Sequence, residues 1–215
     1  MKEAKKALKK SHIISTAERV FSKLGFKNAK MDDIAAECGI TKVTLYTYFQ
    51  SKENLYAAIT YQGLVSLVEG YDKIKKENIN QTGLVSSLCM IQYFMEFCEN
   101  NTLYAEALMD HFSIIRSGKL QMTEAIKESE YFKKSEDIQT LPFKIVAKEI
   151  QRGKEDGSIK EEIEPMVATL VAWSSGIGYA KIIASSGETS LFFNISLNEL
   201  KINNVEIARR LLSKQ

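Results

Sequence analysis

Residues 31 to 49, MDDIAAECGITKVTLYTYF, constrain this chain more than any other stretch. They read as two short helices joined by a tight turn. Ile34 and Ala35 fall on one side of the first helix. Gly39 stands at the turn, where only glycine takes a left-handed conformation without steric cost. Thr41 is placed to cap the second helix by accepting a backbone N–H one turn on. Leu45, Tyr48 and Phe49 recur at helical spacing and point back at the first helix. Ala35 is small, so the two helices can cross closely. This is the pattern of a helix-turn-helix, whose second helix enters the major groove of DNA.

Charge supports that reading. The chain has 29 Lys and Arg against 27 Asp and Glu, a net of only +2. Yet residues 1 to 52 hold eleven bases and five acids, +6, which leaves −4 for residues 53 to 215. A basic quarter on a slightly acidic remainder suits a DNA-reading domain joined to one that does not touch DNA. The arm at residues 1 to 10, MKEAKKALKK, carries five Lys and one Glu. Two readings of it stand equally: a helical arm that contacts phosphates, or a solvated tail. The arm is too charged for a signal peptide. No uninterrupted apolar run reaches the ~18 residues of a membrane span, so no membrane is expected and the cytoplasm is the expected compartment. Cys38, Cys89 and Cys98 form no CxxC pair and read as buried thiols rather than disulfides or metal ligands.

Helical periodicity continues through the chain. Helices are predicted over about 11–24, 31–38, 42–48, 52–76, 84–99, 102–116, 119–153 (with a kink or break at Pro142), 164–185 and 203–213. Residues 186 to 202, with Leu191, Phe192 and Phe193, read as irregular or a short helix. No two-residue period is sustained, so the class is all-α. The predicted division is a three-helix DNA-binding domain at 1–52 and a helical bundle at 53–215. Within the bundle, Ala168, Ala172, Gly176, Ala180 and Ala184 repeat every four residues, a small-residue stripe that lets another helix approach closely.

Candidate chemistry is thin. Asp110 and His111 adjoin, but no Ser or Cys nucleophile is placed beside them. His12 touches a phosphate or is solvated. The acids lack metal-ligand spacing, and no cofactor or metal is expected. Tyr93, Phe94, Met95, Phe97, Tyr104, Met109, Phe112 and Trp173 read one by one as bundle core. Together they are also candidates to line an apolar cavity, with Tyr93, His111, Ser174 and Tyr179 as its polar groups.

The stretch F-x-x-x-G-F, then D-D-I-A-x-x-C-G-I-T-K-x-T-L-Y-x-Y-F-x-S-K-E-x-L, closely resembles the DNA-binding domain of TetR-type (tetracycline-repressor-like) transcriptional regulators. The specific match covers about residues 10 to 60. It departs at Lys30, where Ser or Thr is common, and at Val43, where Gly is common. The resemblance implies a repressor, released from a palindromic operator by a small, largely apolar molecule, and acting as a homodimer. Base contacts are expected from Thr41, Lys42, Thr44 and Tyr46, with Lys42 the candidate for reading guanine. By resemblance, Tyr48 and Lys52 contact phosphates, Lys52 through its backbone N–H. The expected ligand-binding residues are Tyr93, Phe94, Phe97, Met109, His111, Phe112 and Trp173. The expected dimer interface holds Ala172, Gly176, Ala180, Ala184 and Leu211. Two alternatives stay open: a small helical enzyme using His111 and Asp110, and a DNA-binding protein without an effector.

Overall fold

The fold was obtained as a computed structural model that describes residues 2–116, 124–186, 191–192 and 194–214. It is all-helical apart from one small hairpin. By packing, the chain divides into two units: residues up to Leu64 with Glu106–Ile138, and Val65–Ala105 with the residues from Gln139 onward. This grouping differs from a cut after residue 52: of its three boundaries along the chain, 64/65 and 105/106 fall inside helices and 138/139 falls at a helix end.

In the first unit, α1 (Lys2–Asn28) runs from the basic arm and is broken at Gly25, whose φ of 73° only glycine adopts readily. Ile13, Ile14, Ala17 and Phe21 form its buried stripe. They pack with Ile34 and Ala35 of α2 (Met31–Glu37) and Leu45 of α3 (Lys42–Tyr46). Beyond the helix-turn-helix come α4 (Lys52–Glu77), α6 (Thr102–Arg116), α7 (Glu124–Lys127) and α8 (Glu130–Ile138), with α5 (Gly83–Asn100) intervening in sequence. Only Lys52–Leu64 of α4 and Glu106–Arg116 of α6 belong to this unit.

The second unit is a bundle around α5. α9 (Leu141–Glu155), α10 (Pro165–Ser186) and α11 (Leu197–Leu212) all pack on it. At the α5–α9 crossing the backbones touch: a Cβ on Gly83 would lie 2.1 Å from the amide nitrogen of Gly153. The turn at 156–159 closes over the same point. Asp156 Oδ2 accepts from Gly83 N at 2.7 Å and Ser158 Oγ from Leu84 N at 3.2 Å, so side chains of the turn satisfy the start of α5.

Three expectations change. Described residues of the predicted tract at 119–153 form α7, α8 and α9, while 117–123 lie outside the described residues; Pro142 sits in the first turn of α9, where its missing N–H costs nothing. The last helix begins at Leu197 because Ser196 and Glu199 form a capping box, with Ser196 Oγ accepting from Glu199 N at 3.1 Å. Ahead of it, β1 (Leu191–Phe192) and β2 (Ile195–Ser196) pair antiparallel; the side chains of Leu191, Phe192 and Phe193 lie outside the described residues. Finally, Pro165–Ala184 of α10 is long and apolar enough, at mean hydropathy 1.3, to cross a membrane, which a search for an uninterrupted apolar run missed. Its apolarity serves packing on α5 and α9 on one side.

Candidate DNA-binding surface and ligand cavity

The helix-turn-helix closes as its residues require. Gly39, at φ 63°, ends α2 in a Schellman motif: Gly39 N donates to Ala36 O at 3.1 Å and Ile40 N to Ala35 O at 3.0 Å. Thr41 Oγ1 accepts from Thr44 N at 3.1 Å and caps α3. Lys30 cannot cap α2 with a side-chain oxygen, and Asp33 Oδ2 reaches back to accept from Lys30 N at 2.8 Å instead. Leu45 is wholly buried, so α3 turns Thr41, Lys42, Val43 and Tyr46 outward. Thr44 and Tyr48 are half-buried.

Two of the expected DNA-contacting lysines are already engaged. Lys42 Nζ lies 2.7 Å from Asp32 Oδ1, and that hydrogen-bonded carboxylate raises the lysine's pKa. Both side chains are exposed, so a phosphate or a base edge can compete for the ammonium. Lys52 is held more firmly. Its ammonium donates to Phe26 O at 2.6 Å, Ala29 O at 3.0 Å and Lys27 O at 3.3 Å, and lies 4.5 Å from the centre of the Phe26 ring. It caps the carbonyl end of α1 from the first residue of α4.

Lys10, in the arm, is not a phosphate contact in this geometry. It pairs with Glu130 Oε2 at 2.9 Å and lies 4.7 Å from the centre of the Tyr131 ring. Lys134 holds the other Glu130 oxygen at 2.6 Å, and these two hydrogen bonds pull the Glu130 carboxyl down to about 2. Tyr131 also stacks on Phe49, centroid to centroid 6.2 Å. So α8 is fastened to both α1 and the segment just after α3. Nothing local in the sequence announced this, because Lys10, Phe49 and Tyr131 come from three distant stretches.

α8 also lines a cavity of about 270 Å³. Phe26 and Tyr56, 4.4 Å apart between ring centres, form one wall. Phe132 and His111, 5.2 Å apart, form another. Ala57 and Ala107 are too small to fill the space between. Tyr56 Oη donates to Asp110 Oδ2 at 2.9 Å, and burial, then the Asp110 charge, push the phenol well above its ordinary value. Asp110 thus holds the Tyr56 hydroxyl with one carboxylate oxygen.

The sequence model described as "Bacterial regulatory proteins, tetR family" matches residues 13–59. Residues 13–59 are thus a TetR-type DNA-binding domain. Over 47 residues it is 49% identical to the uncharacterized HTH-type transcriptional regulator YerO of Bacillus subtilis (strain 168), covering 22% of this chain and 16% of that one. Over 54 residues it is 43% identical to the HTH-type transcriptional regulator RutR of Escherichia coli (strain K12), covering 25% and 26%. The chain thus spans only 16% and 26% of the lengths of these two relatives. In fold the likeness is wider: a bacterial regulatory protein in the tetR family from Rhodococcus RHA1 superposes with a TM-score of 0.71 over 96% of this chain and 98% of that one, at 18% identity.

The helix-turn-helix is therefore of the TetR type, and over the rest of the chain the likeness is one of fold. TetR-family regulators are not enzymes, which closes the catalytic reading of His111 and Asp110. The residues expected to bind a ligand separate. Met109, His111 and Phe112 belong to the first unit, and Tyr93, Phe94, Phe97 and Trp173 to the second. Trp173 stacks on Phe94 at 4.1 Å and meets Phe143 at 4.7 Å. The space left beside them is about 20 Å³, room for about one water. The expected dimer residues separate as well. A Cβ on Gly176 would lie 2.4 Å from the Phe94 ring, and Ala180 is buried, so both pack within the bundle. Ala184 is exposed; Ala172 and Leu211 line a groove of about 420 Å³ along α10 and α11. Its walls include Val167, Val171 and Ile207, each more than half exposed, and their spacing was the signal the sequence reading passed over for the alanine stripe.

Proposed function

We propose that this regulator is a cytoplasmic repressor that binds a palindromic operator as a homodimer and is released by a small molecule. The observation that carries the DNA part is α3, capped at Thr41 and anchored by Leu45, with the outer face from Thr41 to Tyr46 turned to solvent. Thr41, Lys42, Thr44 and Tyr46 are then the base-reading residues; Tyr48 and the Lys52 backbone N–H hold phosphates. Val43, 77% exposed on the same face, brings its methyl groups to the groove, where a thymine methyl is the apolar contact on offer.

Dimerisation is supported by α10. Val167, Leu170 and Val171 are each about half exposed and, with Ile207 and Leu211 of α11, form an apolar face that a second copy would cover around a two-fold axis. TetR-family members generally bind operators and small-molecule effectors as dimers. For two copies to engage one face of B-DNA their recognition helices must stand roughly 34–36 Å apart.

Selection from random duplex DNA, followed by footprinting, tests the reading: an enriched inverted repeat is expected, and enrichment without symmetry, or none, rejects it. Val171→Glu combined with Ile207→Glu should give folded monomers, by sedimentation and circular dichroism, that bind the repeat weakly.

A further inference from the structure

Resting on that regulatory reading, we propose that the cavity between α4, α6 and α8 of the first unit is the effector site, that its effector is a small organic cation with an aromatic or other flat apolar body, and that α8 transmits its occupancy to the helix-turn-helix.

Size and chemistry select the class. At about 270 Å³ the cavity lies near the small end of the usual ligand range, roughly 300–1,000 Å³. That accommodates one ring and a short chain. The rings of Phe26, Tyr56 and Phe132 supply the apolar walls, and aromatic quadrupoles favour a cation over an anion, as the Lys52 ammonium 4.5 Å from the centre of Phe26 illustrates. Asp110 and Glu53 carry the charge, and none of the described lining residues is Lys or Arg. The Tyr56 hydroxyl takes up one position on Asp110, and a carboxylate offers about four lone-pair sites, so acceptors remain for an ammonium. Glu106 adds to the negative field felt at Tyr56. An anionic ligand would be repelled by the same groups.

The link to DNA binding is one residue long. Phe132 lines the cavity, and its neighbour Tyr131, packed against the same Ala57–Phe132 cluster, also lies against Phe49 and under the Lys10 ammonium. Phe49 is buried at the end of the helix-turn-helix, one residue beyond Tyr48. A ring that displaces Phe132 therefore disturbs Tyr131 and the Phe49 ring stacked on it, three residues beyond α3. Phe26 gives a second route, since its carbonyl and its ring both hold Lys52 at the first residue of α4. The ligand changes operator affinity only by as much as it prefers one position of α8 over the other.

Calorimetric titration of the full chain with phenethylamine, 2-phenylethanol and 3-phenylpropionate tests the class. The amine should bind at least tenfold tighter than the alcohol, and the carboxylate should not saturate. Asp110→Asn should weaken the amine about tenfold and leave the alcohol unchanged; Glu53→Gln, a rim change, should weaken it less. Equal affinities for all three, an indifferent Asp110→Asn, or no amine binding at millimolar concentration overturns the assignment. Amine saturation should also lower affinity for the selected operator, and Tyr131→Leu should keep amine binding while blunting that response. Binding with no change in operator affinity overturns the transmission by α8. The regulatory reading fails separately, if the unliganded protein binds no specific DNA.

Discussion

Two aromatic clusters of similar composition end in opposite states. In the bundle, Phe94, Phe143 and Trp173 leave about 20 Å³; in the first unit, Phe26, Tyr56, His111 and Phe132 surround about 270 Å³. The difference lies in what stands opposite the rings. Gly176 has no side chain, so α10 comes down onto Phe94 and the rings stack face to face. In the first unit the rings pair along the walls, Phe26 with Tyr56 and His111 with Phe132, while the small side chains of Ala57 and Ala107 line the remaining wall and leave the space open. A small residue closes a gap when the backbone can follow it inward, and opens one when the backbone is held elsewhere.

The largest effect expected from this contrast is Phe94→Ala. It removes a buried ring packed on both faces, and should cost roughly 3–5 kcal/mol in urea unfolding. Phe132→Ala is the matched change in the open cluster. One side of that ring already faces empty space, so fewer contacts are lost, and about 2 kcal/mol is expected. Equal costs would mean that the cavity is filled in solution. Next comes Lys52→Met, which keeps the apolar stem over Phe26 but leaves three carbonyls without their ammonium. A loss of about 1.5 kcal/mol is expected, at the low end for hydrogen bonds to a charged group because the site is part-exposed. An unchanged midpoint would show that Lys52 is available to DNA.

The contrast also marks where sequence reasoning reaches. The helix-turn-helix was legible because its determinants are local: Gly39 for the turn, Thr41 for the cap, Leu45 for the core; only its ends moved, α3 stopping at Tyr46 rather than near residue 48. Helix order in the bundle was legible from periodicity. The cavity was not, since its walls come from residues 26, 56, 111 and 132, and burial periodicity is the same whether a ring meets another ring or a void. The small-residue stripe on α10 was seen, but Gly176 and Ala180 face the bundle. A stripe says that something approaches closely, without saying whether it belongs to the same chain.

The smallest effect concerns the fastening of α8, and it depends on pH. Glu130 accepts from Lys10 on α1 and Lys134 on α8, which lowers its carboxyl from the ordinary 4.5 to about 2. A folded-state value below the unfolded one means that the ion pairs stabilise the fold at pH above the unfolded value. That contribution fades as the carboxyl takes up its proton, from about pH 4.5 down through about pH 2. Glu130 is more than half exposed, so solvent screens the pairs and the gain is held below about 1 kcal/mol. Glu130→Gln should therefore unfold slightly earlier in urea than the parent at neutral pH. The gap should narrow steadily on acidification below the unfolded value, and 1 M salt should shrink it at neutral pH. A gap that is constant with pH would assign the loss to packing around Tyr131 rather than to charge. If α8 is the strut between the open cluster and the helix-turn-helix, loosening it should also soften the response to a ligand in the cavity, while the closed Phe94–Trp173 cluster stays unaffected.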